Sequence, residues 1–283
     1  MKYVIENPIK AVDAARSLYP DSSGRTLLNW IKAGRFLVDG KPLSKPQLEL
    51  VPGQVLTAQT TFRPQLIPGL KILYEDRYVV AIDKPAGLLS VPLDEGKMAR
   101  HALGLLRDHY QTEQIFAVHR IDRDTSGCLI FAKGKESEDA MKDLFEQHDL
   151  TREYFAIVEG RVKESKGTWE SRLLELENYE VIESNEGREA ITHYSVLHRS
   201  PKYSYLKLRL ETGRKHQIRV HCKAAGHPIL GDERYGSKED PIRRVCLHAW
   251  YLEFIHPLNE QKKIKVRSQL PIAFKKLGGH HFL

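Results

Sequence analysis

The run His119-Arg120-Ile121-Asp122-Arg123-Asp124-Thr125-Ser126-Gly127 constrains this chain more than any other feature. Apolar residues flank it: Ile115, Phe116, Ala117 and Val118 before, Cys128, Leu129, Ile130 and Phe131 after. Those runs predict two short buried strands joined by a tight polar connection. Thr125-Ser126-Gly127 supplies the turn chemistry. The polar segment is thus held by rigid neighbours, with Asp122 between Arg120 and Arg123. Taken alone, it also reads as a surface turn in which Asp122 and Asp124 pair with the two arginines. An active site is the sharper reading, because close positive charge keeps a carboxylate ionised and nucleophilic.

The rest of the chain agrees with a globular, intracellular protein. Its 283 residues are 41% hydrophobic, ample for a packed core, and no glycine or proline bias suggests disorder. Lys and Arg number 44 against 37 Asp and Glu, giving net charge +7 and a pI near 9.1. That balance is compatible with a polyanionic partner and supports one without establishing it. The three cysteines, Cys128, Cys222 and Cys246, form no Cys-x-x-Cys pair, so neither a disulfide framework nor a zinc ribbon is expected, and a reducing cytosol fits. No signal peptide and no apolar run of roughly 20 residues is present, so a soluble, cytoplasmic protein with no membrane partner is expected.

Along the chain, Ala11 to Tyr19 and Arg25 to Ala33 read as short helices, followed by the turn-separated strands Phe36-Leu37-Val38 and Lys41-Pro42-Leu43. Residues 61–70 contain Pro64 and Pro68 without periodicity and read as a linker between a domain at 1–60 and another at 71–283. In the second domain, strands are expected at Tyr78–Asp83, Ile115–Val118, Cys128–Ala132, Tyr154–Glu159, Ile191–His198, Tyr203–Glu211 and Leu247–Ile255. Helices are expected at Met98–His109, Lys135–Gln147 and Lys215–Ala225. Strand runs with inserted helices imply an α+β class with a mixed, mainly antiparallel sheet.

Two further segments could carry chemistry. Thr151-Arg152-Glu153-Tyr154-Phe155-Ala156-Ile157-Val158-Glu159-Gly160 alternates like a strand. Tyr154 there is either a half-buried core residue or a stacking surface for a base, worth ~1–3 kcal/mol. Glu211-Thr212-Gly213-Arg214-Lys215-His216-Gln217-Ile218-Arg219-Val220-His221 would end a strand and open a helix with basic residues in its first turns. Arg214, Gln217 and Ile218 would then share one face, as would Lys215 and Arg219. His216 and His221 are spaced i,i+5, about 140° apart on a helix, so they do not make a zinc pair. No glycine-rich cofactor or phosphate-binding loop is present, and neither metal nor cofactor is expected.

The three segments, in this order, resemble the motifs of RluA-type pseudouridine synthases. In that family Leu is usual at the place of Ile121, Lys at Arg152, and Thr or Ser at Lys215. Ile82-Asp83-Lys84-Pro85-Ala86-Gly87-Leu88, Gly226-His227-Pro228-Ile229-Leu230-Gly231-Asp232 and Cys246-Leu247-His248-Ala249 extend the likeness, which spans about residues 72 to 277. Arg25-Thr26-Leu27-Leu28-Asn29-Trp30-Ile31-Lys32-Ala33-Gly34 and Phe36-Leu37-Val38-Asp39-Gly40 resemble the alpha-L RNA-binding module of one small-subunit ribosomal protein and many rRNA-modifying enzymes.

The resemblance implies a pseudouridine synthase fold and isomerisation of uridine to pseudouridine in structured RNA, with rRNA favoured over tRNA by the attached module. It implies that Asp122 is the nucleophile, that Arg219 forms a salt bridge to it and lowers its pKa, and that Tyr154 stacks on the base. Leu247 would pack against the base, and Arg120 or a neighbour would fill the space left by a flipped nucleotide. Arg214, Gln217 and Ile218 would line the substrate site. Arg25, Lys32 and Arg35 would face phosphates from the N-terminal module. A monomer is the expected state. Two rivals stand beside this reading: a non-catalytic RNA-binding protein, which predicts binding without turnover, and a metal-dependent hydrolase, which predicts a carboxylate and histidine cluster.

Overall fold

The computed structural model describes residues 2–20, 22, 24–32, 34–58, 70–92 and 100–277, with backbone alone at Arg25, Thr26, Asn29 and Lys275. All but Leu70 of the expected linker lies outside the described residues. The chain forms two compact units, one comprising Met1–Ile67 with Leu105–Thr112, the other Pro68–Gly104 with Glu113–Leu283.

In the first unit the elements run β1 (Lys2–Val4), β2 (Ile9–Lys10), α1 (Ala11–Leu18), α2 (Gly24–Lys32), β3 (Phe36–Val38), β4 (Lys41–Pro42), β5 (Glu49–Leu50) and β6 (Val55–Ala58). Four strands pair in the order β1-β6-β3-β4, and β2 pairs with β5. Small side chains let α1 sit close: Ala11, Ala14 and Ala15 are fully buried beside Leu27, Ile31, Phe36 and Leu56. Asp39 and Gly40 take positive φ in the turn between β3 and β4, as the expected hairpin demands.

The chain continues with β7 (Lys71–Glu75), β8 (Val79–Lys84), α3 (Ala102–Tyr110), β9 (Ile115–Ala117), β10 (Ser126–Lys133), α4 (Lys135–Glu146), β11 (Leu150–Glu159), β12 (Lys166–Glu175), β13 (Val181–Glu183), β14 (Arg188–Arg199), β15 (Tyr203–Leu210), α5 (Gln217–Ala224), β16 (Leu247–His256), β17 (Asn259–Arg267) and α6 (Ile272–Lys276), all in the second unit except α3 from Leu105 onward, which belongs to the first. Nine strands run in the order β13-β12-β14-β15-β11-β16-β10-β8-β7, with β17 on β16 and β9 on β10. Every pairing is antiparallel except β10 with β16. The expected class, α+β with a mixed and mainly antiparallel sheet, is what forms. Among the described residues no helix is long and apolar enough to cross a membrane.

Two departures have plain causes. Strands β12 and β17 carry charged or polar residues at most positions, so their apolar alternation is weak and neither was expected. The helix expected from Lys215 starts at Gln217, because His216 takes a left-handed conformation with φ 54°. Arg214 and Lys215 therefore precede the helix, and the face-sharing argument does not apply to them.

The parallel pair β10–β16 sets the site. Gly127 lies opposite Ala249 with φ 114°, and a Cβ there would fall 2.1 Å from the Ala249 carbonyl oxygen. Only glycine admits that approach. Gly127→Ala should therefore destabilise the second unit by roughly 3 kcal/mol or more, read as a shift in the denaturant midpoint. An unchanged midpoint would show that the two strands can separate at no cost.

Candidate active site

The segment 118–125 forms the tip of the β9–β10 hairpin and is clamped by backbone and side-chain bonds. The Ser90 hydroxyl donates to the Ile121 carbonyl at 2.7 Å and accepts from the Ile121 N–H at 3.2 Å. Lys84, fully buried at the end of β8, donates to the carbonyls of Pro85, Leu88 and Arg123 at 3.1, 2.6 and 3.0 Å. Burial pushes the Lys84 pKa down to about 7, against the pull of Asp122 and Asp124. His119 is turned away from solvent: its Nε2 accepts from the Ile130 N–H, and its ring stacks on Phe145 at 4.6 Å. Desolvation holds its pKa near 3, so it stays neutral.

Asp122 emerges from this frame into a cavity of about 530 Å³. Its side chain keeps 25% exposure. The Arg219 guanidinium donates from Nη1 to its Oδ2 at 3.4 Å, and His216 Nε2 lies 3.9 Å from Oδ1. Arg219 is itself fixed by Asp232: Nε donates to Oδ2 at 2.6 Å and Nη2 to Oδ1 at 2.8 Å. Burial disfavours the Arg219 charge, but the fork on Asp232 and the charges of Asp232 and Asp122 outweigh it and raise its pKa. The first claim on Arg219 is therefore Asp232, and Asp122 takes what the guanidinium has left. His216 donates to or accepts from the Tyr235 hydroxyl at 2.7 Å; burial and neighbouring Arg219 drive its pKa to about 3, so it is a neutral neighbour of Asp122.

Arg219 lowers the Asp122 pKa as expected, but burial outweighs it and the net shift is upward. Desolvation raises it above the ordinary carboxylate range, while Arg219, Lys84 and Arg120 pull it back only in part.

The walls come from separated elements. Tyr154, 9% exposed, stands where β11 meets β16 at an irregularity: Glu153 pairs with Tyr251 but Tyr154 with Ala249. The extra residue is Trp250 on β16, while β11 keeps its register with β15; Tyr154 lines the cavity. Burial raises its phenol pKa to about 12, so it stays un-ionised. Leu247, at the start of β16, and Ile218, in the first turn of α5, add apolar surface, and Arg120 and Arg214 add cationic surface.

All eight residues expected at the site in the second unit thus line one cavity. Gln217 lines it but has no free capacity. Its Oε1 accepts from Thr212 Oγ1 and the Arg214 N–H, and its Nε2 donates to the Ile191 carbonyl and Thr192 Oγ1. It braces the turn before α5 rather than offering a bond to substrate. In the first unit Lys32 is exposed at the end of α2, and Arg25 lies in α2 with its side chain outside the described residues. Arg35 corrects the expectation of a basic helix face. It follows the helix and is 9% exposed, with its guanidinium 3.6 Å from the Trp30 ring centroid and bonded to the Tyr19 hydroxyl.

Sequence reading missed Asp232, Lys84, His216 and Arg152 as site residues. Asp232 follows Gly231, whose positive φ and closeness to the Arg244 carbonyl mark a built turn, but nothing in the sequence pairs it with Arg219. His216 and His221 part company: His221 bonds Thr192 and Ser171 instead. Among the described residues no group of three or more His, Cys, Asp or Glu could hold a metal ion.

A family model described as RNA pseudouridylate synthase matches residues 78–224, just over half of the chain and including all three motifs up to Arg219. The chain belongs to the RNA pseudouridylate synthase family. It is similar to the ribosomal large subunit pseudouridine synthase D of Xanthomonas campestris, at 34% identity over 90% of this chain and 83% of that one. It is also similar to the dual-specificity RNA pseudouridine synthase RluA of Vibrio cholerae, at 36% identity over 71% and 83%. Among solved structures, human RNA pseudouridylate synthase domain containing 1 matches with TM-score 0.61 and 25% identity, over 75% of this chain and 90% of that one. The chain is thus an RNA pseudouridine synthase, an isomerase, with that fold.

Two outcomes follow for a pseudouridine synthase built this way. Asp232→Asn removes half of a buried ion pair and should cost roughly 3–5 kcal/mol of stability, measured by denaturant unfolding; a cost below 1 kcal/mol would show that Arg219 does not need it. The second concerns pH. If the Asp122 carboxylate is the reacting group, activity should fall on acidification through a pKa above the ordinary carboxylate value of 3.8. Arg219→Lys weakens the contact that lowers this pKa, so the acid limb of kcat/KM should move to higher pH. A limb that moves to lower pH, or stays, would contradict the geometry.

Proposed function

We propose that this enzyme converts specific uridines of large-subunit ribosomal RNA to pseudouridine, with Asp122 as the catalytic carboxylate acting on a flipped-out nucleotide. The observation that carries this reading is a partly exposed carboxylate held by a guanidinium at a cavity walled by Tyr154 and Leu247. The reaction breaks the bond from ribose C1′ to N1 of uracil, turns the base, and joins C5 to the sugar. The hydrogen on C5 leaves as a proton and N1 takes one up, so the product is an isomer and no electrons or groups are exchanged with a co-reactant. Attack on C1′, attack on the base and removal of a sugar proton all require Asp122 ionised, which Arg219, Lys84 and Arg120 favour.

A base stacked in a helix cannot reach a recessed carboxylate, so the nucleotide must leave the stack. Tyr154 and Leu247 then offer an aromatic and an aliphatic face to uracil, and Arg120 fills the space left behind. The address rests on the relatives: several of those at 30–34% identity are named for the large ribosomal subunit, and one at 36% for dual specificity. The first unit adds affinity as an alpha-L module, residues 1–60, through Lys32 and Arg25 on phosphates. On this reading the protein works in the cytoplasm as a monomer.

Pseudouridine mapped by mass after cyanoethylation, on rRNA and tRNA from cells with and without the gene, tests the proposal. Loss of one or a few defined sites in large-subunit rRNA is the expected result. Loss confined to tRNA would overturn the address, and no loss would overturn the reading.

A further inference from the structure

Arg152 is a buried cation with no ion-pair partner among the described residues. It lies on β11 two residues before Tyr154, so both project from the same face of the strand, roughly 7 Å apart along it. It lines the cavity and is 9% exposed. Its Nη2 donates to the Glu211 carbonyl at 3.2 Å, and its Nε is buried with no hydrogen-bond partner. Among the described residues no carboxylate lies within ion-pair distance of it. The nearby acids are spent: Glu153 pairs with Lys207 at 3.3 Å, and Glu211 with His193 at 2.5 Å.

Arg219 has the same burial but carries Asp232 on its fork. Arg152 has only the face of Phe145, 5.8 Å from its guanidinium carbon, and the space left by Gly213. A Cβ at residue 213 would come within 2.5 Å of Arg152 Nη1, so the glycine keeps the guanidinium at the cavity wall. Arg214 lines the same cavity as a second cation and Glu146 as an anion; Lys142 there is paired with Glu138 at 2.6 Å, and burial lowers the His148 pKa, which favours the neutral imidazole. Buried guanidinium groups are retained when something completes their bonding. A planar fork with free N–H groups, beside a stacking tyrosine, fits a phosphodiester.

We propose that Arg152 is a phosphate-binding residue: it grips an RNA backbone phosphate flanking the target uridine while Tyr154 holds the base. This rests on the proposed function, since it takes the cavity as the uridine site. The grip acts on substrate placement rather than on the bonds that change, so its loss falls mainly on KM.

The test is a cycle on the full chain. The substrate is a synthetic RNA hairpin carrying the mapped uridine, with a phosphodiester or a neutral methylphosphonate at each flanking linkage. Arg152→Met should raise KM about 10- to 100-fold on the phosphodiester RNA with kcat changed little. Neutralising one linkage should raise KM for the wild-type enzyme by a similar factor, and should add nothing further for Arg152→Met. Arg152→Gln, of similar length and uncharged, goes through the same cycle if Arg152→Met melts below the assay temperature. Losses that add independently at both linkages would overturn the proposal and make Arg152 a packing residue, as would a fall in kcat with KM unchanged. If mapping finds no uridine, the proposed function fails and this inference with it; if a uridine is found and the losses add, this inference fails alone.

Discussion

The site depends on a shared guanidinium. Asp232, 1% exposed at its side chain, takes two bonds from Arg219 at 2.6 and 2.8 Å, and Asp122 takes the third at 3.4 Å. The asymmetry matters. A guanidinium pairing only with Asp122 would lock both groups and neutralise the carboxylate. Anchored on Asp232, it is instead a fixed positive end that steadies Asp122 without consuming it. Asp122 remains partly exposed, and its pKa is raised because desolvation exceeds what three neighbouring cations return. An ionised carboxylate in that position costs folding stability and gains reactivity, a common bargain at active sites.

Everything around the shared guanidinium limits movement. Gly127 lets β10 and β16 approach closely enough to bring the Asp122 loop beside Leu247. Lys84 ties that loop to the end of β8 through three carbonyls, and Ser90 holds Ile121 on both backbone groups. Gln217 spends its whole amide on the turn before α5, which starts late enough to aim Arg219 inward. The geometry of the cavity is held by bonds to backbone groups near strand ends, where little can relax.

The sequence made the centre legible and the supports less so. A charged run between two apolar strands announced Asp122, and its order with the Tyr154 and Arg219 segments announced the family. The expected strands fell where apolar runs were unbroken, as in β8 and β10, or where alternation was strong, as in β15. Polar β12 and β17 escaped because their apolar positions are few. Asp232 and Arg152 escaped for another reason: their significance lies in what they meet across the fold. Asp232 meets Arg219, thirteen residues away in a different element, and Arg152 meets no carboxylate among the described residues. The lowering pull of Arg219 on Asp122 was legible because proximity of charge can be read from sequence; the larger opposing effect of burial was not. Arg35 looked like a surface cation until Trp30 and Tyr19 were seen to cover it.

The central claim is that the Asp122 carboxylate does the chemistry. Joining C5 of uracil to ribose releases the hydrogen on C5, so tritium release from RNA labelled at C5 of uridine reports the reaction directly. Asp122→Asn should release no tritium above background while binding the same RNA within a few-fold of the wild-type protein. It should also melt no lower, because the folded state raises the Asp122 pKa and so disfavours the charge that the amide removes. Tritium release by Asp122→Asn at a rate near that of the wild type would contradict the account.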